Sequence, residues 1–153
     1  MHKITDLEFK NRLVKRLKLG PAGRVELDRE MLAAADLGSR QRLDDMLSEG
    51  ANPNATDQYG NTGLILTMVP GCIMTLLESR ANHWKPNHAG VLPFVYHLSM
   101  GNLIVARILQ RHSSREKLIE IKDAAIEAAE RAKQRGAWPH HAWVSNNLCE
   151  IHI

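Results

Sequence analysis

Residues 48–64, SEGANPNATDQYGNTGL, hold three Asn, three Gly, one Pro and one Asp between two stretches of Leu-rich helical pattern. A connection this polar inside a compact chain is either a functional loop or a structural joint. Its surroundings decide. Upstream, a helix is expected from Asp28 to about Asp36 (DREMLAAAD), and a second over Ser39 to Glu49 with Leu43, Met46 and Leu47 at i, i+3, i+4 spacing. Gly38 and Gly50 stand where left-handed helix ends are placed. Downstream, LILTMV (64–69) is broken by Pro70-Gly71 and followed by CIMTLLES (72–79), then FVYHLSM (94–100), Gly101 and NLIVARILQR (102–111). Helix, tight turn, helix, long polar connection: the unit recurs, which is the signature of a repeat architecture. Aromatic residues are only 5% of the chain, so its core must come from Leu, Ile, Val, Ala and Met, which favours helices over a sandwich of strands. The expected fold class is all-α.

The polar connections align. Glu49-Gly50-Ala51-Asn52-Pro53-Asn54-Ala55-Thr56-Asp57-Gln58-Tyr59-Gly60-Asn61-Thr62 has a weaker copy in Ser79-Arg80-Ala81-Asn82-His83-Trp84-Lys85-Pro86-Asn87-His88-Ala89-Gly90-Val91-Leu92-Pro93-Phe94. Ala81-Asn82 repeats Ala51-Asn52, Asn87 stands for Asp57 and Gly90 for Gly60. These joints resemble those between ankyrin repeats, which read Gly-Ala-Asp-Pro/Val-Asn, two or three residues, then Asp-x-x-Gly-x-Thr-Pro-Leu. The resemblance covers about Asp28 to His112. It implies a helical solenoid of helix-turn-helix pairs with short hairpin-like tips and helical caps, forming one domain over 1–153. Its parts would be an N-terminal capping helix and turn (1–27), about three repeats (28–112) and a C-terminal capping helix and tail (113–153).

The departures are specific. The family's Thr-Pro-Leu-His turn, braced by a Thr–His hydrogen bond and started by Pro, is Thr62-Gly63-Leu64-Ile65 in one copy and Leu92-Pro93-Phe94-Val95 in the other. The Gly60-to-Gly90 spacing is three residues short of the family's period. The expected location of the deficit is the start of the second helix, after Gly71. The first repeat, MLAAADLGSRQRLDDMLSEGA (31–51), lacks an entry turn.

A short array needs caps over its stacking faces. Thr5 to Leu19 has a helical period, with Leu7, Val14 and Leu17 on one side, widened by Leu13 and Phe9, and Lys10, Arg12, Lys15, Arg16 and Lys18 around them. It is expected to cap the array with its basic face in solvent. Gly20-Pro21-Ala22-Gly23 is expected to break it. A second cap runs from Ser113, with a capping box to Glu116, to Gly136, with Leu118, Ile121, Ala125, Ala128 and Ala132 on one face and Glu127–Arg131 as outer support. The tail 137–153 fits either a short helix or a hairpin turning at Asn146-Asn147.

Chemistry is sparse. Cys72 and Cys149 make no disulfide framework, and Cys72 is expected in the core. His140, His141, Cys149 and His152 crowd the tail, but their spacing matches no zinc finger, so no metal and no cofactor is expected. Residues 52–63 superficially resemble a calcium loop, yet Asp57 takes the glycine position and no Glu closes it. Nucleophile-elbow, phosphate-loop and zinc-protease patterns are absent, and no enzyme activity is expected. No run approaches the roughly 18 apolar residues of a membrane span, and the first 20 residues have no secretory pattern. The chain therefore reads as cytoplasmic, and Asn54-Ala55-Thr56 as an unused sequon. The net charge of +3 is too mild to argue for nucleic acid.

What remains is binding. The ankyrin resemblance implies a concave surface of tips and inner helices. Its variable positions map onto Gln58, Tyr59 and Asn61 in one tip, and His88, Ala89 and Val91 in the next. On the helices they map onto Asp36, Leu37, Val69, Pro70, Ser99 and Met100. Tyr59 and Trp84 are the aromatic anchor candidates. The expected function is non-catalytic binding of one partner protein, for instance as an immunity protein neutralising a toxin. The alternatives are a secreted bacterial effector that seizes a host protein, or a basic N-terminal helix that binds nucleic acid or a membrane surface. A nuclease toxin would call for an acidic face, against which the basic pI of about 9.0 counts.

Overall fold

In the computed structural model, which describes residues 3–136, every regular element is helical. The chain divides into two compact units between Leu92 and Pro93.

The first unit holds α1 (Asp6–Lys18), α2 (Pro21–Leu37), α3 (Arg40–Ser48), α4 (Gly63–Leu66) and α5 (Pro70–Glu78). Gly20-Pro21-Ala22-Gly23 does not keep the chain out of helix: α2 begins at Pro21, seven residues before the expected start. Pro70 likewise opens α5, after α4 has ended at Leu66. Both prolines occupy the first helical turn, where the missing N–H costs nothing and the fixed φ is already helical. The short repeat is explained differently from the sequence expectation. α5 has the same nine residues as α3, whereas α4 has only four. Pro70 disfavours helix in the residue before it, and Thr67 and Val69 are extended. The deficit therefore lies in the first helix of the pair, not the second.

The core between the two pairs is aliphatic: Met31 and Ala35 from α2, Leu43 and Leu47 from α3, Leu64 and Ile65 from α4, and Cys72, Ile73 and Leu76 from α5 are all buried. Arg40 Nε donates to Thr75 Oγ1 at 3.3 Å between α3 and α5.

The two joints are built alike, with the bonding shifted by thirty residues. Ala51 N–H donates to Met46 O and Ala81 N–H to Leu76 O, each at 3.0 Å. Asn52 Oδ1 accepts from Asn54 N–H, and Asn82 Oδ1 from Trp84 N–H. The position of Gly50 (φ 100°) is taken in the second joint by Arg80, which holds φ at 66°, an uncommon backbone state for a residue with a Cβ.

Helix α1 explains that exchange. It begins with a complete capping box between Thr5 and Glu8 and lies across the ends of α3 and α5 by its Phe9, Arg12, Arg16 and Leu19 edge, all half-buried. At the first joint its backbone comes so close that a Cβ on Gly50 would stand 2.6 Å from Arg12 O. Only glycine fits there. At the second joint Arg80 reaches back instead, its guanidinium 4.5 Å over the Phe9 ring and paired with Asp6 at 2.5 Å. Arg12 donates to Ser79 Oγ at 3.0 Å, and Ile4 N–H to Glu78 O at 3.0 Å. Phe9 and Arg16 are seven residues apart, about 10 Å along a helix, which matches the 8–10 Å between packed helices.

The central link is ionic. Arg16 grips Asp28 through two bonds, Nη1–Oδ1 at 2.6 Å and Nη2–Oδ2 at 2.8 Å, and also donates to Gly50 O. Asp28 Oδ1 accepts from Asn52 N–H at 2.8 Å as well. The hydrogen bond to Asp28, reinforced by its charge, raises the Arg16 pKa despite partial burial. The apolar stripe expected to face the array does not: Leu7 and Leu17 are 68% and 70% exposed, and α1 has no buried residue. The arginines hold the helix and the leucines look out.

The second unit holds α6 (Pro93–Ser99), α7 (Leu103–Arg111), α8 (Arg115–Glu120) and α9 (Lys122–Gln134). α6 packs on α7 and α9, burying Phe94, His97 and Leu98 with Val105, Leu109, Ala125, Ala128 and Ala132. The expected single C-terminal helix bends at Ile121, and its N-cap is Ser114, not Ser113, whose hydroxyl donates to Leu109 O. Leu118 is buried as expected, Ile121 is half-buried, and Glu127 pairs with Arg131 outside. Gly136 takes a left-handed conformation at the helix end.

Replacing Asp28 with Ala should cost about 2–3 kcal/mol in urea unfolding, since it strands a half-buried guanidinium and the Asn52 N–H. Glu127→Ala, which breaks an exposed pair, should cost under about 0.5 kcal/mol. Equal effects would contradict the ranking.

Candidate functional site

The two tips bring together six of the expected binding positions: Gln58, Tyr59 and Asn61 in one, His88, Ala89 and Val91 in the other. In each, one side chain braces the turn. Asp57 Oδ1 accepts from Tyr59 N–H at 2.8 Å and Asn61 N–H at 2.9 Å. Asn87 Oδ1 accepts from Ala89 N–H at 3.0 Å and Val91 N–H at 2.9 Å. Thr56 and Thr62 close the first tip with a single antiparallel bridge. Asp57 thus spends its carboxylate on the turn, which accounts for the likeness to a calcium loop without a metal.

The tips also bind each other. His88 N–H donates to Tyr59 O at 3.0 Å, and Asn87 Nδ2 donates to Asn61 Oδ1 at 3.0 Å. A Cβ on Gly60 (φ 76°) would stand 2.6 Å from His88 Cδ2 and 2.8 Å from His88 N. Asn61 is therefore half-buried and engaged as a bridge. Gln58, Tyr59, His88 and Ala89 are the exposed members, with Tyr59 64% exposed. Val91 is half-buried.

Thr62 is the N-cap of α4. It is 1% exposed, and its hydroxyl has no hydrogen-bond partner among the described residues. The residue three further on is the buried Ile65. Leu76 fills the space beside Gly63, where a Cβ would meet its Cδ1 at 3.1 Å.

Beside the first tip runs an open groove of about 750 Å³, walled by α2 and by residues 55–58. Its floor is Leu32, Ala33 and Leu66, with Val25 at one end. The chain enters α2 directly from Pro21. Asp28, Asp36, Asp57 and Arg29 line the groove. Asp28 is held by Arg16, Arg29 pairs with Glu26, and Asp57 braces its turn, so Asp36, exposed on α2, is the acid open to a partner. Leu37 (74% exposed), Met68 and Val69 add exposed apolar area at the turns between helices, Val69 packing against Gly38.

Other expected positions fall elsewhere. Pro70 is half-buried at the start of α5. Trp84 is half-buried at the second joint, tilted against His83, in a segment tied to the first joint by Asn82 N–H to Asn54 Oδ1 at 2.6 Å and Lys85 Nζ to Asn54 O at 2.9 Å. Ser99 and Met100 belong to the second unit. Val25, Arg29 and Met68 were not expected to be at the site. Val25 and Arg29 were missed because the reading began α2 at Asp28 and mapped only its last residues onto the surface. His140, His141, Cys149 and His152 lie outside the described residues. Among the described residues no group of three His, Cys, Asp or Glu side chains is placed to hold a metal, and no helix is long and apolar enough to cross a membrane. No protein-family model matches the chain, and a search of curated proteins gives no match.

Two substitutions test this geometry. Thr62→Val should be neutral or stabilise by up to about 1 kcal/mol, because it removes an orphaned buried hydroxyl at constant shape. Gly60→Ala should cost clearly more than the about 1 kcal/mol expected for Gly90→Ala, since Gly90 has the same φ but open space around it. Equal losses would mean that the tips do not dock in solution.

Proposed function

We propose that this protein is an ankyrin-type binding module that takes a segment of one partner protein along the groove between α2 and the first tip. The observation that carries the reading is the combination of an open apolar groove with apolar side chains left exposed in the same unit. Val25 lines the groove and is 59% exposed; Leu37, Tyr59 and Val69 are each at least 38% exposed, and with Asp36 these three stand at the sequence register that faces a ligand in the family the joints resemble. The thirty-residue recurrence of the joint and tip bonds supports that register. Tyr59 supplies a rigid amphipathic ring of the type enriched at interface hot spots.

The partner segment should present apolar side chains and a basic group toward Asp36. Such a module acts by occlusion and not by chemistry, which fits an inhibitor or an immunity protein covering a toxin's working surface.

The test is a comparison of captured partners. Wild-type protein should retain a specific partner that Tyr59→Ala/Leu37→Asp loses by at least tenfold, while the distant surface variant Arg42→Ala retains it. Equal recovery by the groove variant would reject the groove as the binding surface.

A further inference from the structure

Helix α1 is docked by the wrong edge for a simple cap, and this leaves a second surface that the groove does not use. Its supporting edge is Phe9, Arg12, Arg16 and Leu19, whereas Leu7, Val14 and Leu17 form a stripe on the other side, flanked by Leu13 next to Phe9, the four side chains being 43–70% exposed. Lys10 falls within that stripe and Lys18 beside it at helical spacing. The charges are unequal in availability. Asp6 is paired with Arg80, Glu8 closes the capping box, Arg16 is neutralised by Asp28 and Lys15 reaches Glu49. Lys10 and Lys18 are exposed and enter no ion pair among the described residues. The outward face is thus apolar along its middle and net positive.

We propose that this face of α1 lies on an anionic membrane surface, with the leucines and Val14 entering the headgroup–acyl boundary and Lys10 and Lys18 meeting lipid phosphates. Charge complementarity selects the lipid: neutral bilayers offer the stripe no counter-charge. A nucleic acid would leave four apolar side chains facing phosphate. A second copy of the chain is disfavoured by area, since four partly exposed side chains fall far short of the roughly 800 Å² that each partner of a stable dimer buries. A bilayer asks for less. A helix of thirteen residues, already folded and standing proud of its support, makes a ridge about 20 Å long, and such ridges bind by shallow burial plus attraction of lysines to anionic lipid. Lysine stems cover apolar surface while their ammonium groups stay with the headgroups.

The experiment is co-sedimentation of the full chain with vesicles of phosphatidylcholine alone and with one lipid in three replaced by phosphatidylglycerol. Binding should be at least tenfold tighter to the anionic vesicles and should weaken with added salt. Lys10→Ala/Lys18→Ala should lose about thirtyfold, at about 1 kcal/mol per lysine, and Leu7→Ser/Leu17→Ser at least tenfold. All four side chains are exposed, so unchanged thermal unfolding of both variants verifies that the fold persists. The groove variant Tyr59→Ala/Leu37→Asp should bind vesicles as wild type does, which separates this face from the partner groove. Equal binding to both vesicle types would overturn the proposal, as would anionic binding that survives both stripe variants. So would a dimer in sedimentation equilibrium, without lipid, that Leu7→Ser/Leu17→Ser dissolves.

Discussion

One guanidinium organises the first unit. Arg16 touches Asp28 of α2 and the carbonyl of Gly50, and the same carboxylate holds the backbone of Asn52. Three segments far apart in sequence therefore meet in one hydrogen-bonded cluster. It is only partly buried, which is why it can be strong: the pair keeps some solvent, avoids the full desolvation penalty of a buried ion pair, and has nearly ideal fork geometry. Remove the charge from either side and α1 keeps only the bonds of Arg24, which reaches from α2 to the carbonyls of Arg16, Leu17 and Leu19 at its C-terminal end.

The rest of the unit follows from repetition with local deviation. Two joints and two tips share one bonding scheme, yet each departure from it has a visible compensation. Arg80 sits where Gly50 predicts a glycine, and its side chain is repaid by Phe9 and Asp6. Asn87 replaces Asp57 and still accepts two backbone bonds, while its amide reaches across to Asn61. Thr62 is the exception. Its buried hydroxyl has no hydrogen-bond partner among the described residues.

Much of this was legible in the amino-acid sequence because the joints are encoded locally. Gly38 and Gly50 marked left-handed ends, the recurring Asn- and Gly-containing connections marked the two joints, and the Leu43-Met46-Leu47 spacing marked α3. What was not legible depended on neighbours. Pro21 and Pro70 read as breaks because a proline at the first turn of a helix looks, in sequence, like one after the last. The Leu7-Val14-Leu17 period located α1 correctly but assigned it the wrong inward face, since hydrophobic patterning cannot anticipate docking by arginines onto helix ends. The groove itself has no sequence signature. It is walled by α2, residues 55–58 and Leu66, which only the folded chain brings together.

The reach of α1 over both joints changes how the unit can come apart. In a plain stack each layer holds only to the next, so the end layer can open alone and stability falls away toward the terminus. Here a single rigid rod is pinned to the ends of α3 and α5 together. Opening the first pair means releasing Arg16 and Gly50, and with them the lever that Phe9 and Asp6 exert on Arg80. The two layers are thereby joined into one cooperative unit of opening, and the amides of α3 and α5 should exchange with solvent through the same event.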